Sequence, residues 1–274
     1  MTPSSVSIPY LVDFLSEVEQ EAPPKWLVEP FLVAGGLHII SGQRKLARKT
    51  LFSETLALAL ARGKPTGPFD VREKHRVLYV QQEGTRRGAA DLANALLRTN
   101  GVEHEEIKDT FLYLHRHSHF KLDSEDDFSL RLVVSACSDL GIEIVFLDCA
   151  TFMMTGDENS PEAVGLVTDS LAEIRRRGIT PVILVHTGKA SSTITDFDLH
   201  LRGHSKWADA YDQHLALRRY GPQQAHVALY IRGREVEETT EPYRLFWKLA
   251  SDEHGRLREA GLAIVSPREA DDHG

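Results

Sequence analysis

The stretch of the chain best suited to chemistry is residues 37–63, which read LHIISGQRKLARKTLFSETLALALARG. A short apolar run comes first and a loop rich in cationic side chains follows. From Thr50 onward, apolar residues recur at helical spacing until Gly63, where the helix is expected to end. A loop between a buried strand and the first turn of a helix presents backbone N–H groups that bind phosphate. The segment therefore predicts a polyphosphate-binding site.

The loop departs from the usual phosphate-binding pattern G-x-x-x-x-G-K-[ST]. Counted from Gly42, the pattern puts Ala47 at the second glycine, Arg48 at the lysine and Lys49 at the hydroxyl-bearing residue. Alanine resists the positive φ that glycine permits, and the broad guanidinium of Arg48 does not replace a compact ammonium. Lys49 would place positive charge where Mg²⁺ should bind. This register predicts an impaired, degenerate site.

A second register stays open if the loop is one residue longer. Lys49 and Thr50 then supply the lysine and the hydroxyl, and Arg48 takes the position of the glycine. Thr50 would in that case contact Mg²⁺, and Lys45 is a further cation of the loop that could bind phosphate. The candidate nucleotide-binding residues are Gly42, Lys45, Ala47, Arg48, Lys49 and Thr50.

Three further polar residues follow predicted strands. Glu83 comes after LYVQQ, Asp148 ends VFLD and His186 follows VILV. Ligands of open α/β sheets bind beyond the carboxyl ends of the strands, so these side chains are expected beside the loop. Asp148 suits a Mg²⁺ ligand, Glu83 a general base, and His186 a sensor of the γ-phosphate or a contact to DNA. The alternative for each is an ordinary polar residue that ends a strand or lies in a solvated loop.

The elements that would position these residues alternate along the chain. Strands are predicted at residues 37–40, 76–80, 110–115, 142–147 and 180–185, and helices at residues 50–62, 86–98, 126–140 and 160–177. Such alternation predicts a mostly parallel, twisted α/β sheet flanked by helices. Three more strand-like runs at residues 214–219, 226–232 and 243–249 leave no room between them for crossover helices. They are predicted to be antiparallel strands at the C-terminal edge of the sheet.

Composition fits a globular protein of 274 residues with a net charge of −8. Residues 1–25 are predicted to form a peripheral N-terminal helix, residues 26–262 the main domain and residues 263–274 a polar, flexible tail. No apolar run approaches the roughly 20 residues of a membrane span, and no signal-like segment begins the chain, so a cytoplasmic protein is expected. Cys137 and Cys149 lack metal-type spacing and are predicted to be reduced and buried. The acidic total limits any DNA contact to a local surface.

The order of several sequence blocks resembles the RecA-like ATPases related to plasmid RepA, the hexameric replicative helicase, and their bacterial and phage relatives. Those proteins carry a phosphate loop, a strand ending in E-D or E-G, an L-D-x-x-x-x-F block with D-E-N, a V-H-H-x-x-K strand end and an R-G-S-S segment. The corresponding blocks here are Glu83-Gly84, Leu147-Asp148 through Phe152, Asp157-Glu158-Asn159, Val185 to Lys189, and Arg202 to Ser205. Thr187 stands where the family has its second histidine.

The resemblance implies a RecA-like P-loop NTPase core that assembles into a homo-oligomeric ring, such as a hexamer, or into a filament. ATP and Mg²⁺ would lie between neighbouring subunits, and single-stranded DNA or a DNA-processing partner protein would occupy the channel. It also implies Glu83 as the catalytic base, Asp148 as the Mg²⁺ partner, and an arginine that reaches the neighbour's nucleotide. Candidates for that arginine are Arg202, Arg232 and Arg234.

Two functional hypotheses follow. In the first, the chain is a RecA/RepA-like protein of DNA replication, repair or mobile-element maintenance whose ATP hydrolysis is impaired or absent, and it acts as an oligomeric scaffold or regulatory subunit. In the second, it is an active DNA-dependent ATPase or helicase-like motor with a non-consensus phosphate loop. A small-molecule kinase is a third, weaker reading, because the sequence shows no lid rich in arginine.

Overall fold

The computed structural model describes residues 10–20, 25–43, 47–116, 119–124, 127–187, 206–219, 226–234 and 241–265. The predictions for Lys45 and Arg202 therefore lie outside the described residues. The helices are α1 Leu11–Gln20, α2 Lys49–Arg62, α3 Arg86–Thr99, α4 His104–Ile107, α5 Phe128–Leu140, α6 Pro161–Arg176 and α7 Lys206–Ala210. The strands are β1 Trp26–Val28, β2 Leu32–Val33, β3 His38–Gly42, β4 Val77–Gln81, β5 Phe111–His115, β6 Ile144–Asp148, β7 Thr180–His186, β8 Gln213–Arg219, β9 His226–Gly233, β10 Tyr243–Ser251 and β11 Leu257–Val265.

The main sheet has nine strands among the described residues, in the order β11-β10-β9-β8-β3-β7-β6-β4-β5. The six strands from β8 to β5 are parallel to one another, whereas β9, β10 and β11 continue the sheet from β8 as an antiparallel meander. This arrangement confirms the predicted α/β class with a mostly parallel sheet and antiparallel strands at the C-terminal edge.

Two predictions about the C-terminal segment were wrong in part. Strand β8 was expected to be antiparallel, and it pairs in this way with β9, but it pairs in parallel with β3, where His38 lies opposite Gln213 and Gly42 opposite Leu217. The connection from His186 to Gln213 exceeds the dozen residues that a parallel crossover needs, so the short spacing of the later strands did not constrain β8. Strand β11 was not predicted, and it extends to Val265, three residues into the segment expected to be a polar tail.

The sheet has an apolar core on each face. Side chains alternate along the central strands, so that Ile144 and Phe146 of β6 join the cluster that contains α2. Val145 and Leu147 of the same strand join the cluster that contains α5 and α6. This alternation is the period of two expected for a strand buried on both faces. Helix α2 is buried along almost its whole length, which fixes its first turn beside the ends of β3 and β6.

Both cysteines are free and buried, as the sequence predicted. Across the described part of the chain, no helix combines the length and the apolar character required to cross a lipid bilayer.

Candidate functional site

The carboxyl ends of β3, β7, β6 and β4 lie next to one another in the sheet. In the pairing register, Gly42 at the end of β3 lies opposite His186 at the end of β7, and Gln81 at the end of β4 lies opposite Asp148 at the end of β6. Glu83 lies two residues after the last residue of β4, Gln81. The structure thus brings the candidate acids, the histidine and the start of the phosphate-type loop to one edge of the sheet.

Gly42 is required by packing rather than by its torsion angles. A Cβ atom built there would lie 2.5 Å from Cβ of Ala47 and 2.8 Å from the carbonyl oxygen of Leu217, distances that no side chain accommodates. Ala47 is fully buried against this glycine, and its N–H donates a 3.2 Å hydrogen bond to the carbonyl of Gln43. Ala47 therefore packs into the protein and does not occupy the glycine-like position of the loop.

Arg48 holds the left-handed conformation that the second glycine of a phosphate loop would adopt. Its φ is 53° and its ψ is 35°, and it immediately precedes Lys49, the first residue of α2. A non-glycine residue in this region costs on the order of 1 kcal/mol. Arg48, and not Ala47, therefore has the backbone conformation that favours glycine, one residue later than the consensus count from Gly42 predicts.

Lys49 lies at the mouth of the loop. Its Nζ donates a 2.8 Å hydrogen bond to the carbonyl oxygen of Gly42 and lies 2.9 Å from Nδ1 of His186. A lysine ammonium has no lone pair, so Nδ1 of His186 accepts and the neutral imidazole carries its proton on Nε2. Lys49 is nearly buried, at 6% exposure, and the hydrogen bond to Gly42 keeps its charge close to the backbone of the loop.

Thr50 and Asp148 are joined directly. Oγ1 of Thr50 donates a 2.7 Å hydrogen bond to Oδ2 of Asp148, and the hydroxyl of Tyr79 donates a 3.1 Å hydrogen bond to the same oxygen. Ser53 Oγ lies 2.6 Å from the Tyr79 hydroxyl. Burial raises the pKa of Asp148 to about 6, although the hydrogen bonds from Thr50 and Tyr79 and the charge of Lys49 lower it. A hydroxyl and a carboxylate held together are oxygen ligands of the kind that Mg²⁺ prefers, so these residues fit that ion.

Glu83 lies close to both His186 and Cys149, the residue that follows Asp148. Oε2 of Glu83 lies 3.8 Å from Nε2 of His186 and 3.7 Å from Sγ of Cys149. Sγ of Cys149 lies 3.4 Å from the same Nε2. The peptide bond between Asp148 and Cys149 is cis. Glu83 is the partly exposed member of the group, and the other two side chains are buried.

A comparison of the sequence with known protein families identifies the domain that contains these residues. Over residues 3–192, more than half of the chain, the sequence matches the AAA_25 family, an AAA domain. The chain belongs to this family. The match extends across the loop, Glu83, Asp148 and His186, and AAA-type P-loop domains of this kind generally bind ATP with Mg²⁺. No curated protein matches the chain.

Of the candidate arginines, Arg232 and Arg234 are among the described residues, and neither lies at the ends of β3, β6 and β7. Arg232 on β9 lies opposite His214, which in turn lies opposite Ile39, towards the amino end of β3 and away from Gly42. Arg234 lies 3.6 Å from Asp212 in an ion pair. Both arginines fall outside the matched range.

Sequence reasoning missed two residues of the site in the AAA_25 domain. Tyr79 extends from β4 to Asp148. It could have been found in the sequence, because its hydroxyl lies in the middle of an otherwise apolar predicted strand. Cys149 was assigned only to the core, although it directly follows the strand-end acid Asp148.

Proposed function

We propose that this AAA_25 protein is an active RecA-like ATPase of DNA metabolism, of the type represented by the RepA helicase. One observation carries the proposal: Thr50 donates its hydroxyl proton to Asp148 at 2.7 Å while Lys49 begins α2 at the mouth of the loop. A phosphate-binding loop requires the lysine and the hydroxyl in consecutive positions at the start of a helix, with the metal-binding carboxylate within reach. The phosphate loop then uses the longer register, in which Lys49 and Thr50 supply the lysine and the hydroxyl.

Each residue then has a defined task in nucleotide binding. Lys49 exchanges its contact with the Gly42 carbonyl for oxygens of the β- and γ-phosphates, and the N-terminus of α2 adds backbone N–H donors. Thr50 and Asp148 would hold Mg²⁺. When bound, Mg²⁺ neutralises negative charge on the phosphates. Arg48 adopts the backbone conformation of the missing glycine and adds a positive charge beside the loop.

Glu83 is the residue placed to activate water. It follows β4, and its carboxylate lies beside His186, which also contacts Lys49. In the proposed mechanism, Glu83 accepts a proton from the attacking water, and this kind of general-base catalysis contributes about 10² to 10⁴-fold to the rate. His186 connects the water-activating acid to the phosphate-binding lysine and so would respond to the γ-phosphate.

The oligomeric part of the proposal comes from the resemblance to RepA-type proteins. ATP would bind between subunits of a ring or filament, and Arg202 or Arg232 of a neighbouring subunit would reach its phosphates. Within one subunit Arg232 lies away from Gly42, so a contact of Arg232 with ATP would have to be made in trans. Single-stranded DNA or a DNA-processing partner would bind in the channel, where a local basic surface can act despite the net charge of −8.

The second candidate is an oligomeric scaffold or regulatory subunit that hydrolyses ATP poorly or not at all. A specific observation favours it: arginine occupies a left-handed position that glycine normally fills, so its side chain starts where the loop must surround phosphate. The contacts of Lys49 with Gly42 and His186 must also be broken before Lys49 binds a nucleotide.

Phosphate release by the full chain, with and without single-stranded DNA, separates the two candidates. The proposal predicts turnover that rises with DNA, and it predicts that Glu83→Gln lowers the rate at least about 100-fold while ATP still binds. Glu253→Gln, at an exposed site on the turn between β10 and β11, is the matched control and should leave the rate unchanged. Binding without any turnover would support the scaffold, and turnover that survives Glu83→Gln would contradict the role of Glu83.

A further inference from the structure

Three side chains of the site aim their donor atoms at one point. The three atoms are Oε2 of Glu83, Sγ of Cys149 and Nε2 of His186. Each of these atoms is close to both of the others. All three atoms lie within 4.8 Å of one another. An oxygen, a sulfur and a nitrogen atom at these distances are of the types that bind a metal ion together.

The distances agree with a tetrahedral zinc ion. Zinc bonds of about 2.3 Å to sulfur and about 2.0–2.2 Å to nitrogen and oxygen, at tetrahedral angles, separate sulfur from nitrogen or oxygen by about 3.6 Å and nitrogen from oxygen by about 3.4 Å. The structure has 3.4 Å from sulfur to nitrogen, 3.7 Å from sulfur to oxygen and 3.8 Å from nitrogen to oxygen. Side-chain movements of a few tenths of an ångström would close the site.

We propose that Glu83, Cys149 and His186 bind Zn²⁺ at a site distinct from the Mg²⁺ position at Thr50 and Asp148. Thiolate and imidazole ligands select zinc, whereas Mg²⁺ is bound by oxygen ligands. Three protein ligands leave the fourth tetrahedral position for water or a phosphate oxygen, as in open zinc sites. The partly exposed carboxylate of Glu83 provides the entry path to two buried ligands.

Zinc binding changes the protons and the contacts of the group. The Cys149 thiol gives its proton to solvent, and the imidazole proton of His186 moves from Nε2 to Nδ1, which frees Nε2 for the metal. Lys49 must then leave Nδ1, because a protonated nitrogen no longer accepts its hydrogen bond. The carboxylates of Glu83 and Asp148 offset the positive charge that the ion brings near Lys49.

The consequence for ATP hydrolysis rests on the proposed function, whereas zinc binding itself does not. A Glu83 carboxylate bound to zinc no longer accepts a proton from water, so zinc at this site inhibits turnover. The cluster therefore couples the availability of zinc to the activity of the enzyme.

Titration of the nucleotide-free full chain with Zn²⁺, in competition with a chromophoric chelator, tests the binding. We expect one tight equivalent, and Co²⁺ in place of Zn²⁺ should give a thiolate-to-metal charge-transfer band. Cys149→Ser should weaken binding by at least about tenfold and abolish that band. Cys137→Ser, which changes the other buried thiol, is the matched control and should keep both.

The proposal is overturned if the full chain binds no zinc, if the cobalt complex lacks the thiolate band, or if Cys137→Ser and Cys149→Ser weaken binding equally. Should Cys149→Ser fail to fold, Glu83→Gln takes its place and must weaken zinc binding while the thiolate band persists. Because these measurements use no nucleotide, an absence of ATPase activity leaves their result intact. For an active enzyme, zinc should inhibit the parent and the Cys137→Ser variant but not Cys149→Ser.

Discussion

The hydroxyl of Thr50 donates a 2.7 Å hydrogen bond to Oδ2 of Asp148, and so the first turn of α2 is joined to the end of β6. The two residues are 98 positions apart in sequence. This contact favours the longer register of the loop, since the register counted from Gly42 places Lys49, not Thr50, beside the acid that we propose binds Mg²⁺. We propose that the loop is one residue longer than the consensus, so that Arg48, with its left-handed conformation, takes the position of the second glycine.

Replacing Arg48 by glycine should raise both the stability of the protein and its affinity for ATP. Arg48→Gly removes a left-handed non-glycine residue, and we expect the free energy of unfolding to rise by up to about 1 kcal/mol. ATP affinity should rise as well, because glycine lets the backbone approach phosphate more closely. Thermal unfolding and calorimetric titration with Mg-ATP measure the two effects.

Asp127→Gly is the matched control for that change. Asp127 precedes α5 as Arg48 precedes α2, and its φ of 51° is also left-handed, but α5 carries none of the site residues. We expect the same direction of change in stability and no change in ATP affinity. Weaker ATP binding by Arg48→Gly would mean that the arginine side chain, not the shape of the backbone, binds the nucleotide.

Thr50 should matter through its hydroxyl alone. Thr50→Ala removes the donor to Asp148 and the proposed Mg²⁺ ligand, so we expect the gain in ATP affinity on adding Mg²⁺ to fall at least about tenfold. Thr50→Ser keeps the hydroxyl and should retain most of that gain. An equal gain in ATP affinity on adding Mg²⁺ for the two variants would contradict the proposal that Thr50 binds Mg²⁺.

The sequence predicted the strands and helices of the core because their periodicity is strong. It also predicted that Glu83, Asp148 and His186 would meet, since parallel strands bring their carboxyl ends together. The register of the loop was not predictable in this way. Counting along the motif assigns the second glycine to Ala47. In the structure Ala47 instead packs against Gly42, and Arg48 has the left-handed φ angle that favours glycine. Strand β8 was misjudged because pairing with β3 depends on a long connection that no local pattern describes.

Glu54 should make the stability of the protein depend on pH. This residue of α2 is 1% exposed and accepts a 2.8 Å hydrogen bond from the hydroxyl of Tyr113. Burial raises the pKa of Glu54 from 4.5 to about 8, the Tyr113 hydrogen bond opposes that rise, and the charge of Asp148 adds to it. The folded state therefore binds the Glu54 proton more tightly than the unfolded state does.

Stability is consequently expected to fall as pH rises from about 4.5 to about 8, by an amount on the order of a few kcal/mol. Glu54→Gln cannot ionise and should flatten this dependence, leaving the smaller decline below about pH 6 that Asp148 contributes. Melting temperatures of the parent, Glu54→Gln and the exposed control Glu253→Gln between about pH 5 and 8 test this. An unchanged slope in Glu54→Gln would contradict the assignment to Glu54.

Calorimetric titration of the full chain with Mg-ATP, comparing Lys49→Ala with Arg48→Ala, tests the proposed register of the loop most directly. We expect Lys49→Ala to weaken binding by at least about 100-fold, because it removes the cation proposed to bind the phosphates at the start of α2. Arg48→Ala should change binding by less than about tenfold. The reverse order, with Arg48→Ala abolishing binding and Lys49→Ala retaining it, would contradict the register on which the proposed function depends.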